Sequence, residues 1–113
     1  MKLSAKEVEG AVVISLDGNV MGGPDAVELN EQLHKLAAKK KKKVVLDLSG
    51  VQSMNSSGLG MLIGALTAMK NAGGDLKIAA ASDKIENLLV ITKLTTVFEL
   101  FPTVKKAVGS FTK

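Results

Sequence analysis

The sequence predicts a single α/β domain, residues 1–113, with a largely parallel sheet. Short β-branched runs alternate with longer amphipathic segments, in the order strand, strand, helix, then strand and helix twice, then a short strand and a last helix. The 113 residues suit one domain, and the 46% that are hydrophobic suffice for a core. We find no linker, low-complexity block or internal repeat that would divide the chain.

Two apolar runs at the start predict an antiparallel pair of strands. Gly10 separates Leu3–Val8 from the β-branched run Ala11–Leu16. We expect Gly18 to end the second strand.

The next segment predicts a loop and an amphipathic helix. Gly22 and Gly23 form the loop, and Pro24 suits the first helical turn. We expect His34 on this helix to be solvated. The run Lys39–Lys43 could contact phosphate or an anionic membrane surface, but its position predicts a solvated helix end. The apolar stripe of the helix consists of Leu29, Leu33 and Leu36.

The second half of the chain predicts three more strands and three helices. Val44–Leu48 and Asp75–Ala80 have the composition of buried central strands, and Val97–Leu100 is a candidate short last strand. We expect Ser82 to cap one helix and Pro102 to open the last one. The inward-facing residues expected in these two helices are Ile85, Leu88, Leu89, Thr92, Val104, Val108 and Phe111.

The composition excludes several classes of function. There is no cysteine and one histidine, so we expect no metal site and no cofactor. All 15 basic residues are lysines, and Trp and Tyr are absent, which argues against nucleic-acid recognition despite a net charge of +4. Within the charge-free stretch 48–69, only Leu59–Met69 is mainly apolar, too short for membrane insertion. The start of the chain has no apolar core of a signal peptide, so we expect a cytoplasmic protein.

The segment after the first central strand carries the most information about function. Residues 49–60 read SGVQSMNSSGLG, in which Asn55, Ser56 or Ser57 can cap a helix. Three interpretations compete. A dinucleotide loop is disfavoured, because the glycines miss the G-x-G-x-x-G spacing by one residue, Gly58 lies ten positions after Leu48, and no Walker lysine follows. A nucleophilic serine lacks both the G-x-S-x-G elbow and a base.

The third interpretation is a regulatory serine. A phosphate on Ser56 would lie at a helix N-terminus, where the dipole favours negative charge, and would add about −1.5 to −2 charges beside an apolar surface. The helix that follows has no charge from Gly58 to Met69. Most of its apolar residues would cover the sheet, but they occupy more than one face. We therefore expect an exposed remainder, containing Met61 or Leu62, that contacts a partner protein.

At these residues the sequence resembles the STAS family, specifically its single-domain bacterial anti-sigma factor antagonists. Residues 47–60, DLSGVQSMNSSGLG, are similar to the family signature D-x-S-x-V-x-x-M-D-S-S-G-L-G, with the spacing adjusted by a residue at its left edge. Residues 71–78, NAGGDLKI, also look like the family, and the order of elements fits over nearly the whole chain. The resemblance implies a STAS-like α/β fold, with a mixed, mostly parallel sheet of four to five strands and about four helices.

The resemblance also implies a mechanism of partner switching without catalysis. In the family, the unphosphorylated antagonist binds an anti-sigma factor that is also a serine protein kinase, and this releases a sigma factor. The kinase phosphorylates the serine that corresponds to Ser56, and a serine phosphatase reverses the reaction. We expect a monomer or weak dimer. The implied partner-binding residues are Gly22, Gly23, Asn55, Ser56, Ser57, Gly58, Leu59, Gly60, Met61 and Leu62.

Two positions depart from the family pattern. Asn55 stands where an aspartate usually precedes the phosphorylated serine, and Met21 is the nearest match to an aspartate after the second strand. These departures favour an alternative, in which the domain is a scaffold subunit that binds a different partner in a signalling or transport assembly and is never phosphorylated.

Overall fold

The computed structural model describes residues 1–111, and these form a five-stranded sheet with four α-helices. The helices and strands alternate after an initial pair of strands, as the sequence predicted. They are β1 (Lys2–Val8), β2 (Ala11–Val20), α1 (Pro24–Ala38), β3 (Lys43–Met54), α2 (Ser56–Asn71), β4 (Asp75–Ala79), α3 (Asp83–Ile91), β5 (Leu100–Phe101) and α4 (Val104–Ser110). The sheet is mixed and mostly parallel, which confirms the predicted fold class.

The strands lie in the order β1-β2-β3-β4-β5, and only the β1–β2 pair is antiparallel. The register of β2 and β3 shifts between Ser15 and Asp17 and again between Gly18 and Asn19. The prediction that Gly18 ends β2 is wrong, because the strand passes through these irregularities and continues to Val20. Shifts of this kind bend a strand without ending its pairing.

β3 is longer than the sequence predicted. The expected strand ended at Leu48, but pairing with β2 continues to Met54, so residues 49–54 are strand and not loop. Only Asn55 separates β3 from α2. The site therefore lies directly at the carboxyl end of a central strand.

The two faces of the sheet are covered unequally. Ile14, Leu46 and Ile78 point into the main core beneath α1, α2 and α3, where Leu29, Leu33 and Leu36 are buried as predicted. The alternate positions form a smaller cluster that packs against α4. This cluster consists of Ala11, Val13, Val45, Ala79, Ala107 and Val108.

The structure corrects three predictions for the second half of the chain. Residues 94–96 form a 3₁₀ turn and the last strand is Leu100–Phe101, so the predicted strand Val97–Leu100 is wrong in position. Pro102 precedes α4 and does not open it, because the Thr103 hydroxyl accepts the hydrogen bond from the Lys106 N–H and is the N-cap. Ser82 caps α3 as predicted, but Thr92 lies exposed at its C-cap.

Within residues 1–111, none of the helices combines the length and the apolar character needed to cross a membrane.

Candidate partner-binding site

Asn55 fixes the start of α2 at the end of β3. Its side-chain oxygen accepts a hydrogen bond of 2.8 Å from the Gly58 N–H, so the asparagine is the N-cap that the sequence allowed. Its own N–H donates to the carbonyl of Val20 at 3.3 Å. Asn55 therefore ties the start of α2 to the end of β2 as well as to β3.

Ser56 is the first residue of α2 and is exposed. Its hydroxyl and the N–H groups of Ser56 and Ser57 make no hydrogen bond within residues 1–111. The first turn of α2 carries no acidic residue, so the positive end of the helix dipole is not neutralised there. An anionic group at Ser56 would meet free donors and a favourable field.

Two glycines permit the close packing around this serine. A β-carbon on Gly58 would lie 2.1 Å from the carbonyl oxygen of Val20, and one on Gly22 would lie 2.8 Å from the β-carbon of Ser57. Gly22 also has φ +80°, which other residues adopt at a cost. The loop 22–23 thus packs against Ser57 while Ser56 points into solvent.

Gly58 packs closely against the backbone of Val20. This contact argues against a dinucleotide loop, whereas the argument from the length of the loop does not hold. Since the connection between β3 and α2 is one residue long, the expected ten-residue separation does not describe the structure. The space beside Gly58 is filled by Val20, which leaves no room there for a pyrophosphate. The described part of the chain also contains no group of three or more His, Cys, Asp or Glu side chains able to hold a metal ion.

A groove runs between α1 and α2, starting at Ser57. Its first section has a volume of about 520 Å³, and Val27 on its rim is 58% exposed. β-Carbons added to Gly60 and Gly64 would meet no atom within 4 Å, so both glycines open the floor of the groove. The sequence did not predict that α1 lines this groove. It could have been inferred from Val27, an apolar residue that lies outside the stripe of buried leucines.

The exposed apolar residue of α2 is not one of the two that the sequence predicted. Met61 is 6% exposed and Leu62 is 0% exposed, so the prediction that one of them is exposed is wrong. Leu62 packs into the main core, whereas Met61 lines the groove. The exposed large apolar residue of α2 is Ile63, at 40%.

Met21 and Asn55, which stand where the family pattern has aspartates, both lie beside Ser56. Met21 is 44% exposed in the loop that follows β2, and Asn55 is occupied as a cap. Asn19 accepts a 2.7 Å hydrogen bond from the Ser53 hydroxyl and joins the ends of β2 and β3. No carboxylate replaces the two acids of the family pattern at Met21 or Asn55.

Comparisons with known proteins agree on the family. The STAS domain profile matches residues 2–107. A protein of Thermotoga maritima, provisionally named an anti-sigma factor antagonist, is 29% identical over 65 residues, which are 58% of this chain and 58% of that protein. The sequence match thus spans less than two thirds of that relative.

Solved structures extend the similarity over the whole fold. The crystal structure of a provisionally named anti-sigma factor antagonist from Thermotoga maritima has a TM-score of 0.86 and 21% identity, over 98% of this chain and 95% of that chain. The phosphorylated form of the Bacillus cell fate determinant SpoIIAA has a TM-score of 0.73 and 14% identity, over 97% of this chain and 99% of that chain. At these identities the two structures establish a shared fold.

Proposed function

The chain belongs to the STAS domain family, and we propose that it acts as an anti-sigma factor antagonist in the cytoplasm. The unphosphorylated form binds an anti-sigma factor that is also a serine protein kinase and thereby releases a sigma factor. Phosphorylation of Ser56 ends the association, and a serine phosphatase restores it. This role is regulatory and requires no catalytic residue in the chain.

The observation that carries this proposal is the exposure of Ser56 at the positive end of α2, a helix with no charged residue before Lys70. A kinase must extract the hydroxyl from its surroundings to align it with ATP, and here the hydroxyl has no hydrogen bond to lose within the described chain. Ser57 is also exposed, but its β-carbon and backbone pack against Gly22. The geometry therefore favours Ser56 over Ser57 as the substrate.

A phosphate at Ser56 would leave the domain folded. It would add about −1.5 to −2 charges next to the free N–H groups of α2, an arrangement that favours helices by roughly 0.3–1 kcal/mol per charge. The same group would oppose a partner seated on the start of α2, because the partner would have to desolvate it. The switch thus acts on association and not on folding.

The groove between α1 and α2 supplies the contact surface beside the switch. Two exposed glycines within a helix cost about 1 kcal/mol each relative to alanine, and no atom of residues 1–111 fills the space above Gly60 or Gly64. Close approach by the backbone or a large side chain of the partner accounts for them. Together with Val27 and Met61, they form the apolar part of the proposed interface, and the loop 22–23 and residues 55–57 form its polar rim.

The test is phosphorylation by the anti-sigma factor kinase encoded in the same genome. Parent protein, Ser56→Ala and Ser57→Ala are incubated with the kinase and ATP, and the site is mapped by peptide mass. We expect one phosphate on the parent and on Ser57→Ala, and none on Ser56→Ala. Phosphate at another residue of the parent, or none on parent protein that binds the kinase, would reject the switch at Ser56.

The alternative function is that of a STAS scaffold subunit that binds one partner permanently. The absence of both family acids, at Asn55 and Met21, favours it, because kinases often read charge next to their target. Asn55→Asp keeps the cap and restores one acid. If only this variant is phosphorylated, the parent is a scaffold; if both are phosphorylated at similar rates, it is a switch.

A further inference from the structure

A patch of lysines lies at the end of the domain opposite Ser56. Lys43 begins β3 and Ser56 lies two residues beyond its end at Met54, so the length of the 12-residue strand separates them. A strand rises about 3.3 Å per residue and the Cα framework is 31 Å in its longest dimension, so the separation is roughly 30 Å, about three times the Debye length of about 10 Å. We define the basic patch as Lys35, Lys39, Lys40, Lys42 and Lys43.

The basic patch is largely free of counter-charges. All five lysines are exposed, and none of them makes an ion pair within residues 1–111. Two of the acids at the same end are already engaged: Glu7 pairs with Lys41 and Asp75 pairs with Lys70 at 3.1 Å. The patch therefore keeps most of its positive charge.

The run Lys39–Lys43 follows the end of α1 and four of its five lysines are exposed, as predicted for a solvated helix end. α1 ends at Ala38, and Lys40 follows with φ +60°, in the left-handed conformation. The N–H of Lys41 bonds to the carbonyl of Leu36 at 2.8 Å and that of Lys40 to Ala37 at 3.0 Å, which is a Schellman motif. Glycine is the usual residue at this position, and a side chain there costs about 1 kcal/mol or more. Glu9, Ala80 and Lys93 share this conformation, so it does not by itself single out Lys40 as a functional residue.

We propose that the basic patch binds the surface of an anionic phospholipid bilayer. Protein interfaces have an apolar centre and few lysines, whereas the exposed large apolar residues of the described chain all lie outside this patch. Nucleic-acid sites favour arginine and aromatic rings, and this chain has no arginine, tryptophan or tyrosine. Clusters of four to eight basic residues that act as point charges suit anionic lipid head groups.

This association is peripheral and leaves the proposed switch accessible. Since β3 places Ser56 at the far end of the domain, a bilayer bound to the basic patch would face away from Ser56 and from the start of the α1–α2 groove. A partner would then be able to bind the membrane-bound protein. The inference does not depend on the proposed function, because it rests on a different set of residues.

The experiment is co-sedimentation of the whole protein with vesicles. Vesicles of phosphatidylglycerol mixed with phosphatidylcholine are compared with vesicles of phosphatidylcholine alone, at low and at high salt. We expect binding only to the anionic vesicles, and its loss at high salt. The triple variant Lys39→Gln, Lys40→Gln, Lys42→Gln should bind about 100-fold more weakly, since each lysine contributes a factor of roughly 5.

A charge-matched control separates the basic patch from net charge. The triple variant Lys84→Gln, Lys105→Gln, Lys106→Gln removes the same charge from exposed lysines elsewhere and should bind like the parent. Thermal melting of both triple variants checks that they are folded. Three results would overturn the proposal: no binding to anionic vesicles at low salt, equal loss in the two triple variants, or tighter patch-dependent binding to duplex DNA than to the vesicles.

Discussion

Two glycines in the first turns of α2 should respond to alanine in opposite directions. A β-carbon at position 60 meets no atom within 4 Å, so Gly60→Ala gains the helix propensity of alanine, about 1 kcal/mol. A β-carbon at position 58 would lie 2.1 Å from the carbonyl oxygen of Val20 and 2.9 Å from Cγ of Met54. Relief of that overlap requires a shift of about 1 Å between α2 and the end of β2.

The magnitude for Gly58→Ala follows from what that shift disturbs. Overpacking of this kind costs about 1–3 kcal/mol, and weakening the 3.3 Å hydrogen bond from Asn55 to Val20 adds about 1 kcal/mol. The propensity gain of about 1 kcal/mol offsets part of this, which leaves a net loss of about 2 kcal/mol. For a domain of this size we expect melting temperatures about 5 °C higher for Gly60→Ala and about 10 °C lower for Gly58→Ala.

The assay is thermal unfolding followed by circular dichroism, combined with titration of the anti-sigma factor. Gly60→Ala should be more stable than the parent and yet bind the partner more weakly, because its methyl group occupies the groove between α1 and α2. A shift of both melting temperatures in the same direction would refute the packing argument. Unchanged affinity of Gly60→Ala for the partner would refute the assignment of the groove to the interface.

Substitutions at three further positions test the local structure around Ser56, each by its effect on thermal unfolding. Asn55→Ala should cost about 1 kcal/mol, because the Gly58 N–H loses its 2.8 Å acceptor, whereas Asn55→Asp should not destabilise; equal losses would contradict the capping role. Gly22→Ala should cost about 2 kcal/mol, since φ +80° is strained for alanine and its β-carbon would lie 2.8 Å from that of Ser57; a neutral result would contradict this contact. Ser56→Asp should stabilise the free domain by about 0.3–1 kcal/mol at low salt relative to Ser56→Asn, and a lower melting temperature than that of Ser56→Asn would contradict the account of the helix dipole.

The element order and the buried stripes were predictable because they rest on local periodicity. The leucines of α1 repeat at helical spacing, the valines at the start of β3 form a continuous β-branched run, and each was found buried. The polar residues that follow Leu48 misled the prediction of where β3 ends, because strand pairing there depends on β2. The β2–β3 register shifts at Asp17 and Asn19 are tertiary features that a single strand does not encode.

The candidate site was predictable in part. The N-cap at Asn55 follows from a local rule, and the capped helix lies where the sequence placed it. The burial of Met61 and Leu62 was not predictable, because it depends on how α1 crosses α2. Local periodicity likewise did not distinguish Gly58, which touches Val20, from Gly60, which faces open space.

In the proposed switch, the charge on Ser56 alone decides whether the partner binds. The most direct measurement is calorimetric titration of the anti-sigma factor with the unphosphorylated protein and with the same protein carrying phosphate only on Ser56. Reversal of a population from mostly bound to mostly free requires roughly a 10⁴-fold difference in affinity, and we predict a loss of that order with no loss of thermal stability. Equal affinities of the two forms would contradict the claim, and so would a phosphorylated form that fails to bind because it has unfolded.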